Sequence, residues 1–313
     1  MEKTQTALLK TLKNQINDIG STVIEDAAMS KYTSFKAGGE AALLVEVENT
    51  EQLKAVMKLV TEAKVPHMIL GNGSNTLFKD SGYDGVVIKL AGGFEYVEAE
   101  ELQEDGTYFV RCGTSVLLST LARKLLEKDL TGFEFASGIP GSFGGALFMN
   151  AGAYGGEIKN IVHSVKAISP DGSLERIFLA EEMKFGYRCS VLQKNGYIAV
   201  EATLKLKKGD HDQIALQMKE LAAKRNSKQP VTYPSAGSTF KRPEGHFAGQ
   251  LIEEAGLKGV SVGGAQVSTL HSGFIINKDN ATATDILDLI TLVQNRVHDE
   301  TGVTLESEVR IIE

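Results

Sequence analysis

The chain has 313 residues, enough for roughly two domains, and its 42% hydrophobic and 23% charged residues suit a globular protein with a sizeable core. A formal net charge of -7 excludes a protein that grips nucleic acid or an anionic membrane through its overall field, so a polyanionic ligand needs a local basic patch. Two distant cysteines, Cys112 and Cys189, with no CxxC pair and no leader ahead of them, fit a reducing cytoplasm, and the six histidines show no metal-ligand spacing, so no metal is expected.

Within residues 1–18, Leu8, Leu9, Leu12 and Ile16 recur at helical spacing and predict an amphipathic helix. No run approaches the ~18 apolar residues of a membrane span, so no membrane insertion is expected. A strand at 43–48, a helix at 50–64 opening on an Asn/Thr cap, and the short strand "HMIL" lead to Gly71. Strands are expected at 85–90, 94–100 and 107–113, followed by a helix over 115–130 that opens at a serine cap. Residues 131–156 hold eight of the 32 glycines, which predicts tight turns or a close approach of backbone to a ligand.

A hairpin over 162–179 turns at Pro170-Asp171-Gly172, and 197–208 is a further strand. The charged turn "KKGDHD" (207–212) marks a boundary, after which the pattern changes to a long helix over 213–228. Beyond it come the irregular "TYPSAGSTFKRP" (232–243), a helix over 247–256, a strand over 272–277, a helix over 284–302 and a last strand over 303–312. In that last strand Glu306, Glu308 and Arg310 share one face, while Leu305, Ser307, Val309 and Ile311 share the other.

Two glycine loops carry chemistry. "GNGSN" (71–75) follows a strand, but the third glycine of a Rossmann fingerprint is replaced by Thr76 and no helix follows; a Walker loop is absent. Glycines interleaved with Asn and Ser still form nests of backbone N–H groups that bind pyrophosphate. The second cluster, "GIPGSFGGALFMNAGAYGG", has the composition for the same work, and two such loops suggest a large dinucleotide. Between 224 and 244, five basic residues, Lys224, Arg225, Lys228, Lys241 and Arg242, face the single acid Glu244 and form the basic patch that the acidic chain requires.

The two loops together resemble the FAD-binding domain of the vanillyl-alcohol oxidase and p-cresol methylhydroxylase type. With "TSFKAGGEA" (33–41), "FGYRCS" (185–190), "AGSTFKRP" (236–243) and "LESEVR" (305–310), the chain from about residue 30 onward resembles the UDP-N-acetylenolpyruvoylglucosamine reductase family, in its shorter second type without an extra tyrosine-bearing loop. The resemblance implies an α+β fold with a two-lobed FAD-binding region, 1–110 and 111–208, a C-terminal α+β substrate domain, 209–301, and a final strand, 302–313, that returns to the active-site cleft. It also implies non-covalent FAD, NADPH as co-substrate, and reduction of UDP-N-acetylglucosamine enolpyruvate to UDP-N-acetylmuramate in peptidoglycan synthesis. A cytoplasmic monomer is expected. Another flavin oxidoreductase or oxidase of this fold, or a nucleotide-binding module without catalysis, are the alternatives.

Residue by residue, the resemblance assigns FAD to Gly71, Asn72, Gly73, Ser74 and Asn75, and to Gly138, Ile139, Pro140, Gly141, Ser142, Gly144, Gly145, Asn150 and Ala151. Hydride addition to a vinyl carbon leaves charge on the adjacent carbon and its carboxylate, so the site needs a cation and an acid. The family's pattern places the cation at Arg188, the proton donor at Ser238 and the glutamate at Glu308. Composition alone leaves Ser235 and Thr239 open beside Ser238, and Glu306 beside Glu308. Tyr187, Arg225, Lys228, Lys241, Arg242, Gln266 and His271 are the expected substrate contacts, although His271 also suits a structural role.

Overall fold

The computed structural model describes residues 2–313. The chain forms two compact units, each drawn from separate stretches: 1–25, 43–72 and 85–223 in the first, and 26–42, 73–84 and 224–313 in the second. Among the described residues no helix is long and apolar enough to cross a membrane.

The first unit contains two cores. In one, Leu12 and Ile16 from the helix Glu2–Asp18 pack with Leu53, Val56, Met57 and Val60 from the helix Thr50–Glu62. The second helix buries the stripe that its pattern predicts, while in the first Leu12 and Ile16 are buried but the expected Leu8 is exposed; the Asn49 side chain accepts from Gln52 N as the expected cap. Beneath them lie Leu43, Val45, Val47, Val86 and Ile88, and the strand His67–Ile69 runs parallel to Tyr83–Leu90.

The other core lies under an antiparallel sheet ordered Glu175–Leu179, Val162–Ile168, Ile198–Lys208, Tyr108–Gly113, Val97–Leu102, with Leu130–Thr131 also paired to the long strand. Ala202, Leu204 and Leu206 alternate inward from the long strand, and Leu118, Leu121, Ala122 and Leu125 of the helix Leu118–Leu126 cover them. A second, short helix, Phe143–Met149, completes the cover with Phe143, Ala146 and Leu147. It lies inside the glycine cluster, where tight turns or a close approach to a ligand were expected and no helix was. Burying Phe143 and Leu147 completely contributes about 1.5–3 kcal/mol each, together more than the helix cost of Gly144 and Gly145 at about 1 kcal/mol each.

In the second unit, the helices Ala248–Glu254 and Ala283–Thr301 pack Ile252, Ile286, Leu289, Ile290, Val293 and Val297 around Phe35, Leu77, Leu305 and Val309. The long helix starts at a capping box, with Thr282 accepting from Asp285 N and Asp285 accepting from Thr282 N, and stops at Gly302, φ +71. A three-stranded antiparallel sheet, Ser261–Val262, Ala265–Val267 and Ile275–Asn277, flanks it.

Three expected elements are corrected. The helix over 115–130 is only Leu118–Leu126 and opens at Leu117 without a side-chain cap; Ser115 N is drawn to Phe94 O at 3.1 Å instead. Residues 94–100 divide into a turn of 3-10 helix, Gly92–Phe94, and a strand, Val97–Leu102, because Gly113 and Ser115 claim the backbone oxygens of Tyr96 and Phe94. The last strand is only Arg310–Ile312, parallel to Thr76–Phe78; before it the chain is extended but meets a partner through one bridge, Phe240 with Ser307. Leu305 and Val309 are buried on one face as expected, yet Ile311 is exposed.

Candidate active site

In the first unit the strand His67–Ile69 carries the chain to Gly71, which meets the second glycine loop. A Cβ on Gly71 would lie 2.5 Å from Ser142 Oγ and 4.0 Å from Gly145 N, so the two loops approach through bare backbone. Gly141 takes φ +136, a region closed to other residues, and its carbonyl accepts from Leu118 N at 3.0 Å. Gly71, Asn72, Pro140 and Gly145 stay exposed, while Gly138, Ile139, Gly144 and Ala151 are half-buried. Gly73, Ser142 and Asn150 are buried. The exposed and half-buried backbone of the two loops fits a flavin nucleotide, whose diphosphate seeks N–H donors and whose ring seeks a flat approach.

Downstream of this loop, Gly186 N donates to Cys189 O at 2.9 Å and Cys189 N returns a bond at 3.3 Å, closing a tight turn with Tyr187 and Arg188 at its tip. Arg188 adopts φ +53, a left-handed conformation that costs a non-glycine residue about 1–2 kcal/mol. Its guanidinium lies 5.1 Å from the ring of the exposed Tyr187, and Nη2 reaches Gly152 O at 3.5 Å. Gln193 Nε2 donates to Arg188 O at 3.0 Å. Nearby, Lys159 Nζ donates to Glu157 at 2.7 Å and holds that carboxyl below its usual range; Asn150 and the charge of Arg188 add to the effect. A guanidinium cannot lose its proton and forks onto a carboxylate, which is the chemistry expected of Arg188.

The second unit gathers the other expected groups. Ser34 Oγ donates to Ser235 O at 2.6 Å and its N–H to Gly73 O at 3.1 Å, so the "TSFKAGG" motif joins the end of the "GNGSN" loop to the "AGSTFKRP" stretch. Gly73, at φ +62, admits no side chain because a Cβ would collide with the Tyr32 carbonyl. Asn75 binds twice to the terminal segment, through Nδ2 to Glu308 O at 2.9 Å and through its carbonyl to Arg310 N at 3.0 Å. The same segment pairs with residues 239–241, since Glu308 N donates to Thr239 O and Lys241 N to Glu306 O, both at 2.8 Å. Asn75, Glu308 and the residues next to Ser238 therefore form one hydrogen-bonded group.

Within that group the side chains left open by composition stand in different surroundings. Thr239 is fully buried and its Oγ1 accepts from Ile275 N at 2.9 Å, so its hydroxyl belongs to the scaffold. Ser238 is exposed after Gly237, φ +77, and among the described residues its hydroxyl has no partner in the protein. Ser235 is half-buried, with its carbonyl taken by Ser34. Glu306 is exposed and forms a 3.0 Å ion pair with Lys241, whereas Glu308 is half-buried.

The basic residues are spread over this unit. Arg225 and Lys228 lie in the last turn of the helix His211–Lys228, and the Arg242 guanidinium stacks 4.1 Å from the Phe247 ring. Lys241 is held by Glu306, but an exposed pair contributes only about 0–1 kcal/mol and gives way readily to a phosphate. Gln266 Nε2 is engaged by Gly259 O at 3.2 Å and Ser261 Oγ at 3.1 Å. His271 accepts from Gly273 N at 3.1 Å through Nδ1 and sets its edge against Phe274; burial lowers its pKa, so it is neutral near pH 7. Ser34 and the scaffold roles of Asn75 and Thr239 escaped the sequence because their partners are distant backbone carbonyls and amides. Among the described residues no group of three or more His, Cys, Asp or Glu is placed to hold a metal.

A family model described as UDP-N-acetylenolpyruvoylglucosamine reductase, C-terminal domain, matches residues 229–312, and one described as FAD binding domain matches residues 41–177. The chain is 50% identical over 287 residues to a protein of Clostridioides difficile (strain 630) named UDP-N-acetylenolpyruvoylglucosamine reductase, with 92% of each chain covered. A protein of the same name from Alkaliphilus oremlandii (strain OhILAs) is 49% identical over 290 residues, covering 93% of each. The crystal structure of UDP-N-acetylenolpyruvylglucosamine reductase from Thermus caldophilus matches with a TM-score of 0.77 at 35% identity, covering 94% of this chain and 99% of that one.

Proposed function

The chain belongs to the UDP-N-acetylenolpyruvoylglucosamine reductase family, and from that premise we propose that Arg188, Ser238 and Glu308 carry its reaction. The protein is an FAD-containing oxidoreductase of peptidoglycan synthesis that reduces UDP-N-acetylglucosamine enolpyruvate to UDP-N-acetylmuramate, with NADPH as co-substrate. Bound FAD, recharged by NADPH, supplies the hydride that adds to the terminal vinyl carbon. Arg188 holds the substrate carboxylate, onto which the charge of the neighbouring carbon spreads. Ser238 then gives its proton to that carbon. A hydroxyl is a weak acid, but a carbanionic enediolate is a strong base, and Glu308 accepts a hydrogen bond from the developing enol.

The observation that supports this assignment is the Ser238 hydroxyl, exposed and, among the described residues, without a protein partner, in the same hydrogen-bonded group as Glu308, while Thr239 is committed to the scaffold. We assign the diphosphate to Arg225, Lys228, Lys241 and Arg242, the rest of the nucleotide to Gln266 and His271, and a further substrate contact beside Arg188 to Tyr187. The expected functional division at 110, 208 and 301 is kept as part of this proposal, as are a cytoplasmic location, which the free thiols Cys112 and Cys189 support, and a monomeric state. The test is direct: the purified protein should carry flavin absorbance and consume NADPH in proportion to added enolpyruvyl nucleotide. Steady NADPH consumption with oxygen alone, or a colourless folded protein that does not take up FAD, would overturn the reading.

A further inference from the structure

Asn150 is 1% exposed and ends the helix Phe143–Met149 in the left-handed region, φ +44. Asparagine tolerates that conformation better than most residues, so the backbone explains part of its presence. Its side chain explains the rest. Nδ2 donates to Glu157 Oε2 at 3.0 Å and to Gly186 O at 2.9 Å, and Oδ1 accepts from Lys159 N at 2.9 Å. A carboxamide has two N–H donors, and both are spent within the protein. Neither is left for a cofactor.

What these bonds hold is specific. Gly186 is the first residue of the turn that presents Arg188, and Glu157 is itself fixed by Lys159, so Asn150, Glu157 and Lys159 form a closed ring anchored to that turn. A non-glycine residue stays at positive φ only where its surroundings over-determine it. Arg188 at φ +53 is such a residue, and the Gly186 carbonyl is one of the points at which its turn is fastened to the glycine loop. We propose that Asn150 is a positioning residue for Arg188: its carboxamide ties the turn to the end of the glycine loop and keeps the guanidinium aimed. This rests on Arg188 being the group that holds the substrate carboxylate.

Asn150→Gly keeps the left-handed backbone and removes the carboxamide, and Asn150→Asp keeps the shape and the Lys159 N bond but loses the donations to both Gly186 O and Glu157 and sets a second carboxylate against Glu157. Each variant is loaded with FAD and followed by flavin absorbance in two half-reactions, reduction by NADPH and reoxidation by the enolpyruvyl nucleotide. Both should retain flavin and its reduction rate while reoxidation falls about 10- to 100-fold, the scale of an ångström's misplacement of a substrate-binding group. In an Arg188→Ala background the same Asn150→Gly change should then do almost nothing more. Loss of flavin from the folded variants, unchanged reoxidation, or multiplication of the two defects in the double variant would overturn the proposal. Failure of the unsubstituted protein to be reoxidised by the nucleotide would remove the underlying reading as well, and so separates the two.

Discussion

Replacing Ser238 by Ala tests the chemistry with little disturbance of the fold. The hydroxyl is exposed and has no protein partner, so its removal should change stability by no more than about 0.5 kcal/mol. The turn is set by the preceding Gly237 at φ +77 and the pairing by Thr239 and Lys241, none of which the substitution alters. Loss of a positioned general acid costs about 10²–10⁴ in rate, or about 3–5 kcal/mol of transition-state stabilisation. The assay is anaerobic rapid mixing: NADPH should bleach the flavin at the unsubstituted rate, and recovery of absorbance on adding the enolpyruvyl nucleotide should slow by that factor. Ser238→Cys, which keeps a proton at the same place, should recover part of the loss. Equal slowing of both halves, or reoxidation at the original rate, would refute the assignment of the proton to Ser238.

Two further outcomes follow from single contacts. Asp80 caps the helix Ala283–Thr301 from a distant segment, accepting from Ala283 N at 2.9 Å, Thr284 N at 2.8 Å and Thr284 Oγ1 at 2.7 Å, so Asp80→Ala should cost about 1–2 kcal/mol in urea unfolding. Burial alone would raise the pKa of Asp80, but these hydrogen bonds outweigh it and lower it; the penalty should be full above the unfolded value of about 3.9 and vanish as pH falls through the folded one. A penalty that grows on acidification would contradict this sign. Arg188→Gly relieves a left-handed residue worth about 1–2 kcal/mol while adding about 0.5–1 kcal/mol of unfolded-chain entropy, so stability should hold within about 1 kcal/mol. Flavin reoxidation by the nucleotide should nonetheless fall by about 10²–10³; a variant as active as the parent would exclude the carboxylate role.

Much of the fold was legible because its longest elements are periodic and capped. The helices Thr50–Glu62 and Ala283–Thr301 bury the stripes that their spacing marks and open on Asn49 and Thr282. The helix Phe143–Met149 was hidden because Gly144 and Gly145 oppose it locally, and only the burial of Phe143, Ala146 and Leu147 forms it. Alternation over 305–309 truly reports an extended chain with Leu305 and Val309 inward, but alternation is silent on whether a neighbouring strand exists. The packing of 26–42 and 73–84 with 224–313 leaves no local mark at all, since it depends on contacts far apart in sequence. For the site, composition found both glycine loops and the basic stretch, yet Arg188, Ser238 and Glu308 came from resemblance. The structure separates one pair of neighbours, since the Thr239 hydroxyl is bonded to Ile275 N while that of Ser238 is exposed.

Backbone strain points to the same region of the first unit from a different direction. Several non-glycine residues take positive φ, and some have an ordinary cause: Lys64 lies just past a helix end, and Asp26, Asp129 and Asn280 are of the types that tolerate the left-handed region. Lys36, Tyr154, Lys184 and Arg188 have no such excuse. The last two lie in the loop closed by Val191 N donating to Met183 O at 2.8 Å, and Arg188 is further pinned by Gln193 and, through Gly186, by Asn150. A chain free to choose would place Gly or Asn at such a tip. Keeping an arginine there costs stability and requires bonds elsewhere to hold it. Its guanidinium is half-buried beside Tyr187 with Nη2 3.5 Å from Gly152 O, and the proposed role of holding a substrate carboxylate would give the strained backbone a purpose.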